Sequence, residues 1–134
     1  MSLEELREQN IRLVTEKALE CFIKNGINNT RVSEIAAESG LTQRSVFRYF
    51  PSKDDIVIAA AFCYWERTKA YIAHELRRHT DGAQTGIEQI NIILNSYANM
   101  LFVDPEGIRF SLDAEVALYS VGKNAHVINR PPER

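Results

Sequence analysis

Apolar side chains recur at three- and four-residue spacing through most of the chain, a pattern that predicts amphipathic helices. The first predicted helix has its apolar positions at Ile11, Val14, Ala18, Cys21 and Phe22. It ends at Asn25-Gly26, because glycine adopts the left-handed conformation just past a helix end without a Cβ penalty.

Two short helices are predicted next. Thr30 is the expected cap of the second helix, whose inward residues are Val32, Ile35 and Ala36. Gly40 ends it, and Thr42 can cap a third helix over residues 43 to about 50. The pattern therefore predicts two short helices that meet at a tight turn.

A long fourth helix is predicted from residue 53 to about 79. Pro51 breaks the preceding pattern, and Ser52 with Asp55 makes a capping box. No glycine or proline interrupts this segment, and its first half is apolar nearly all round. The composition of residues 80–86 is that of a loop.

Two further helices complete the predicted fold. The fifth has an apolar stripe at Ile87, Ile90, Leu94, Tyr97 and Leu101. Asp104-Pro105 begins the sixth, and Gly122 is its expected end; its apolar side is Ile108, Leu112, Val116 and Tyr119. No strand-like alternation appears, and the tail from Lys123 has no clear period. The predicted fold class is all-α.

Composition and charge narrow the function classes. The 134 residues carry a net charge of -2, which argues against a protein that coats nucleic acid through bulk positive charge. The charge is uneven, since residues 39–53 hold three basic side chains and no acid. No secretory signal or membrane-spanning run is present, and Cys21 and Cys63 are isolated thiols, so we expect a cytoplasmic protein without a membrane partner.

The third helix sorts its residues as a DNA-reading helix must. At about 100° per residue, Val46 and Phe50 share one side while Arg44, Ser45 and Arg48 point the opposite way. A short helix, a turn containing glycine and a second helix of this kind form a helix-turn-helix arrangement. The alternative is a solvated face of a helical bundle, which the concentration of cations beside the turn disfavours.

Arginine and glutamine are suited to reading base edges, because arginine bonds guanine and glutamine bonds adenine bidentately. The candidate base-reading residues are Gln43, Arg44 and Ser45. Phosphate contacts need donors on the rim of the groove. The candidates for the DNA backbone are Thr30, Arg31, Arg48, Tyr49 and Lys53.

The stretch from Val14 to Val57 resembles the DNA-binding domain of the tetracycline-repressor (TetR) family of bacterial regulators. The resemblance is carried by Gly26, Thr30, Ile35-Ala36, Gly40-Leu41-Thr42 and residues 45–53 (SVFRYFPSK). It implies a homodimer that binds a palindromic operator in double-stranded DNA. It also implies a helix-turn-helix domain at 1–52 and a helical ligand-binding and dimerisation domain at 53–134.

Two departures from the family pattern concern the DNA backbone. Phe47 stands where most members have a tyrosine that bonds a phosphate, so Phe47 keeps the packing and lacks the donor. Arg31 replaces a small hydroxyl residue. The family also usually continues through two more long helices, so we expect the second domain to be incomplete and the homodimer to need those helices.

The expected function is a transcriptional regulator, a repressor released by an unknown small-molecule effector. Bulky side chains of the later helices are the candidates for the ligand pocket: Phe62, Trp65, Tyr97, Met100, Phe102, Phe110 and Tyr119. One alternative is a protein-interaction module that kept the fold and lost DNA reading. An enzyme is disfavoured, because His74 and His79 lie five apart and do not share a helix face. No cofactor or metal is expected.

Overall fold

The computed structural model describes residues 1–79 and 85–125, with side chains through residue 120. Its described segments form α1 (Leu3–Asn25), α2 (Val32–Glu38), α3 (Gln43–Tyr49), α4 (Lys53–Arg78), α5 (Gly86–Val103) and α6 (Pro105–Ala125). The all-α fold class is confirmed. The loop expected at 80–86 lies mostly outside the described residues, and the aperiodic tail begins within α6 and continues outside them.

Local signals set most helix ends as the sequence predicts. Gly26 and Gly40 have φ angles of 84° and 67°, the left-handed region that favours glycine. The Thr42 hydroxyl accepts a hydrogen bond from the Ser45 backbone N–H at the start of α3. Ser52 and Asp55 form a reciprocal capping box at α4.

Three helix ends differ from the prediction. α1 begins earlier than its apolar pattern, at a capping box between Ser2 and Glu5. The N-cap position of α2 is Arg31 rather than Thr30, and no side chain caps it. Gly122 does not end α6, which continues to Ala125, because a single glycine costs a helix only about 1 kcal/mol.

One buried cluster joins the two predicted domains. α4 packs against α1, α5 and α6, and α1 also packs against α2 and α6. The ring of Phe110 on α6 stacks on Phe22 of α1 at 5.8 Å between centroids, and meets Tyr64 of α4 edge-on at 6.1 Å. The apolar side chains of this core are Val14, Ala18, Leu19, Phe22, Ile35, Ala36, Val46, Phe50, Ile56, Val57, Ala60, Ala61, Tyr64, Phe110 and Ala114.

The apolar stripes predicted for α5 and α6 do not face this core. Their exposed members are Ile87, Ile90, Leu94, Tyr97 and Leu101 on α5, and Leu112, Val116 and Tyr119 on α6. The side chains that face the core instead are Ser96 and Met100 of α5 and Phe110 and Ala114 of α6. We call the eight exposed side chains the outer apolar face.

Candidate nucleic-acid interface

α3 divides its residues between the core and the solvent as predicted. Val46 and Phe50 are buried in the core and α3 packs against α2, whereas Gln43, Arg44 and Arg48 are exposed. Because the two sides of α3 differ in this way, its exposed side can enter a groove of DNA without loss of core packing.

The candidate base-reading residues lie together in the first turn of α3. Gln43 and Arg44 are exposed, and Ser45 is half-buried. The Thr42 hydroxyl donates to the Ser45 hydroxyl over 3.0 Å and accepts from the Ser45 N–H over 3.1 Å. Ser45 is therefore fixed by the cap, and its own hydroxyl proton remains available to an acceptor outside the chain.

Cations surround this turn without acidic partners. Among residues 1–79 and 85–125, no carboxylate forms an ion pair with Arg31, Arg44, Arg48 or Lys53. A cation without an intramolecular partner keeps its full charge for a phosphate. These four cations are therefore available to a phosphate although the chain as a whole carries a net charge of -2.

The amino terminus of α4 is already occupied by an anion of the chain. The Asp55 carboxylate accepts hydrogen bonds from the Ser52 N–H at 3.1 Å and from the Ser52 hydroxyl at 2.8 Å. A phosphate at this helix end would compete with Asp55 for the positive end of the helix dipole. The Lys53 ammonium group can contact DNA without disturbing this capping box.

Thr30 is an incorrect candidate for the DNA backbone. Its side chain is 1% exposed, and its hydroxyl donates to the carbonyls of Gly26 at 2.8 Å and of Cys21 at 3.2 Å. The hydroxyl ties α1 to the loop before α2 and cannot reach a phosphate.

Burial and proximity to Glu38, Glu34 and Glu20 raise the pKa of the Cys21 thiol, whose backbone carbonyl accepts from Thr30.

The two aromatic candidates differ in their surroundings. Phe47 is 42% exposed on α3, so its ring is available for packing against a partner. Tyr49 is half-buried, and the Asn10 side-chain amide of α1 donates to its hydroxyl over 3.0 Å. The two residues are 39 positions apart, and no local pattern in the sequence indicates this contact.

The residues predicted to form a ligand pocket do not come together. Phe110 is 1% exposed and belongs to the core, whereas Phe62, Phe102 and Tyr119 lie on the surface. Trp65 and Tyr97 line one groove, and Met100 lines another. The seven residues do not line one common groove, because bulky side chains at helical spacing occur on core, surface and pocket sides alike.

The groove that contains Met100 lies where α1, α4 and α5 meet. It has a volume of about 400 Å³, and we call it the junction groove. Its lining residues are Ile23, Tyr64, Arg67, Thr68, Tyr71, Asn99, Met100, Val103 and Asp104. Apolar side chains from α1 and α5 face polar ones from α4, so the groove suits a molecule with one apolar and one polar part.

A hydrogen bond inside the junction groove connects α4 to the start of α6. The Tyr64 hydroxyl donates to one Asp104 carboxylate oxygen over 3.2 Å, and the other oxygen accepts from the Gly107 N–H over 3.1 Å. Burial, followed by the charge and the hydrogen bond of Asp104, raises the pKa of Tyr64 to about 12. Tyr64 therefore keeps its proton and donates to Asp104 even at pH 10.0, where an ordinary tyrosine is half ionised.

A hydrogen bond also joins α6 to α1 next to the junction groove. The Arg109 guanidinium of α6 donates to the Ile23 carbonyl in the last turn of α1 over 3.2 Å. Because Ile23 also lines the groove, a molecule bound there would touch α1 close to this hydrogen bond.

Other signals of chemistry have simpler explanations. His74 and His79 both lie 3.7 Å from Glu75, which also pairs with Arg78. Within the described ranges, no three His, Cys, Asp or Glu side chains lie close enough to hold a metal ion. Nor does any helix in that part of the chain combine the length and hydropathy needed to cross a membrane.

Comparison with known proteins agrees with the geometry of α1 to α4. Residues 14–60 match the family model for bacterial regulatory proteins of the tetR family. The chain is 30% identical over 90 residues to the HTH-type transcriptional regulator YuxN of Bacillus subtilis (strain 168), itself uncharacterised. That match covers 67% of this chain and 30% of YuxN, so the chain spans under a third of this relative.

A solved structure shares the fold. It is the fatty acid degradation regulator FadR from Bacillus halodurans, with a TM-score of 0.53 and 19% sequence identity. The similarity covers 81% of this chain and 60% of the FadR chain.

Proposed function

We propose that this chain, whose residues 14–60 match the tetR family of bacterial regulatory proteins, is a member of that family and represses transcription by binding a palindromic operator as a homodimer. The observation that carries the proposal is the exposed side of α3, where Gln43 and Arg44 stand beside cations that no described carboxylate neutralises. This arrangement supports DNA reading rather than catalysis, and we propose the cytoplasm as its location.

The test of DNA reading is selection of bound sequences from random duplexes at physiological salt. We expect enrichment of a palindrome whose half-sites lie about one or two helical turns apart. Recovery of random sequences only would contradict the proposal and favour the interaction module, which the exposed Phe47 ring makes the second candidate.

Two substitutions separate base reading from backbone contact. Arg44→Ala should cost about 1 to 3 kcal/mol on the operator and relax specificity at one base pair. Lys53→Ala should weaken operator and unrelated DNA alike and reduce the slope of log affinity against log salt by about 1. Lys69→Ala, on the exposed side of α4, is the matched control and should leave both quantities unchanged.

We propose that this chain pairs through its outer apolar face even without the two further helices that the family resemblance implies. Ten large apolar side chains are exposed among the described residues of α5 and α6, and eight of them form the outer apolar face, more than isolated surface residues account for. Since α3 has only seven residues, two copies are needed to read two half-sites. The solution mass of the chain at micromolar concentration tests this, and a strictly monomeric mass would contradict it.

Release by an effector is proposed to act through the junction groove. Arg67 lines it and pairs with no carboxylate among the described residues, whereas the one carboxylate of the lining, Asp104, already accepts hydrogen bonds from Tyr64 and Gly107. The apolar part of the groove comes from Ile23, Met100 and Val103. We therefore propose an amphipathic anion as effector. It would favour one arrangement of α4 relative to α1 and so change the spacing of the reading helices.

The effector proposal is tested with a simple amphipathic anion. Decanoate should lower operator affinity in a saturable way, whereas decanol should act more weakly. Arg67→Gln should abolish the difference between the two compounds, with Lys69→Gln as the matched control. Equal effects of both compounds on the unaltered chain would contradict an anion-selective groove.

The direction of regulation needs a transcription measurement. A reporter promoter that carries the selected palindrome should lose output when the chain is expressed. A gain of output would show activation instead of repression and leave the DNA-reading proposal intact.

A further inference from the structure

α1 and α3 form a groove at the end of α3 away from its capped first turn. Its lining residues are Leu3, Leu6 and Arg7 of α1 together with Arg48 and Tyr49 of α3, and its volume is about 390 Å³. We call it the α1–α3 groove. Arg48 follows Arg44 by four residues and so lies on the same side of α3, one turn further along. The groove therefore continues the row of cations that starts in the base-reading turn.

Two positive charges line this groove without a partner. Neither Arg7 nor Arg48 pairs with a carboxylate anywhere in residues 1–79 and 85–125. The nearby acid Glu5 is engaged in the capping box with Ser2, and no acidic side chain contributes to the groove lining. Two guanidinium groups in one concave surface provide the charge and the donors that a phosphate needs.

The hydroxyl of Tyr49 is held in a defined state by α1. The Asn10 amide donates to it over 3.0 Å, so the hydroxyl oxygen acts as the acceptor. Its own proton then has no acceptor among the described residues and is free to donate outward. Accepting one hydrogen bond also polarises the O–H group and makes it a stronger donor.

We infer that the α1–α3 groove binds a phosphate of the DNA backbone, with Arg7 as a contact residue and Asn10 as the positioning residue for Tyr49. This inference rests on the proposed DNA binding and extends the interface from the helix-turn-helix to the first helix. Arg7 supplies charge, Tyr49 donates its hydroxyl proton, and Asn10 keeps that proton directed away from α1.

The contribution of Arg7 is tested by Arg7→Ala, with DNA affinity measured by fluorescence anisotropy at several salt concentrations. Affinity should fall about tenfold for the operator and for an unrelated duplex alike. This factor is at the lower end of the range for loss of a hydrogen bond to a charged group. The salt slope should fall by about 1. Arg12→Ala is the matched control, because Arg12 is exposed on α1 about 140° around the helix from Arg7.

The role of Asn10 is tested by Asn10→Asp, which keeps the size of the side chain and can only accept. The Tyr49 proton would then turn to Asp and be lost to the phosphate. Gln9→Glu adds the same charge to the neighbouring, exposed position and is the matched control. We expect Asn10→Asp to weaken DNA binding several-fold more than Gln9→Glu, and this excess to vanish in a Tyr49→Phe background.

The outcomes separate this inference from the proposed function. Normal DNA binding with Arg7→Ala equal to Arg12→Ala would overturn the phosphate site. An equal cost of Asn10→Asp and Gln9→Glu would overturn the positioning role, since it would mean that Tyr49 already donates to Asn10. No DNA binding by the unaltered chain would overturn the proposed function and this inference together. Thermal unfolding of each variant shows whether it is folded.

Discussion

The amino-terminal helices and the last two helices have similar amphipathic patterns. They differ in whether their apolar side chains are buried or exposed. In α1 to α3 and the first half of α4, the predicted inward residues are almost all in one core. In α5 and α6, most of the predicted stripe is exposed. A helical period therefore shows which side of a helix is apolar. It does not show whether that side packs against this chain or against another.

Phe110 connects the two regions, and its substitution should lower the free energy of unfolding more than the other changes considered. It lies on α6, but its ring packs between Phe22 and Tyr64 of the amino-terminal core. Phe110→Ala should lower the free energy of unfolding by about 3 to 5 kcal/mol, measured by urea denaturation. Phe102→Ala is the control; its ring is 87% exposed, so the change should stay within about 0.5 kcal/mol. Similar losses for both would mean that the last helices have no distinct core contact.

Tyr64 ties the two regions through Asp104 and predicts a loss of stability in alkali. Its side chain is 6% exposed, and its pKa rises from 10.0 when unfolded to about 12 when folded. Between these values the unfolded chain has lost the proton that the folded chain keeps, so stability falls as the pH rises through this window. The loss should be on the order of 2 to 3 kcal/mol.

The alkaline prediction is measured as the free energy of unfolding against pH in urea. Tyr64→Phe should remove the decline between pH 10.0 and about 12 that is due to this group. It should also cost about 1 kcal/mol at neutral pH through the lost hydrogen bond to Asp104. A decline of the same size in the variant would assign the alkaline effect to other groups.

Two glycines, each in the first turn of a carboxy-terminal helix, sharpen the comparison further. A Cβ on Gly107 would collide with the Asp104 carboxylate, which caps α6 and accepts from Tyr64. A Cβ on Gly86 would meet open space. Gly107→Ala should therefore destabilise the chain by about 1 kcal/mol although alanine favours helices, because a lost cap costs roughly that much.

Gly86→Ala is the matched change and should stabilise by up to about 1 kcal/mol, the difference in helix propensity. Urea denaturation of both variants measures the pair. A gain of stability for Gly107→Ala would show that the link between Tyr64 and Asp104 contributes little to holding α6 on the core.

The amino-terminal half was predictable because its signals are local. The caps at Thr42 and Ser52 and the breaks at Gly26 and Gly40 each depend on residues within one helical turn. They were sufficient to place α3 and to separate its core side from its exposed side.

The parts that the sequence did not reveal depend on distant contacts. Asn10 meets Tyr49 across 39 positions, and neither residue has an unusual local pattern. Thr30 suits a helix cap, a phosphate donor or an internal hydrogen bond equally well, and only the fold shows that its hydroxyl is used internally. On α6, two apolar sides compete, and the smaller residue Ala114 faces the core while Val116 does not.

Substitutions on the outer apolar face should change the free energy of unfolding least. They test whether these exposed side chains are covered by a second copy of the chain. Leu94 and Leu112 are more than half exposed, so Leu94→Glu and Leu112→Glu should change the unfolding free energy of a single copy by less than about 0.5 kcal/mol. If two copies pair through this face, the same changes introduce charges into an apolar contact and should shift the solution mass towards the monomer. Glu115→Gln, on an exposed position of α6, is the control and should leave the mass unchanged. A dimer that tolerates both charges would place its contact elsewhere. Self-association would then not explain why the apolar side chains of α5 and α6 are exposed while those of the amino-terminal helices are buried.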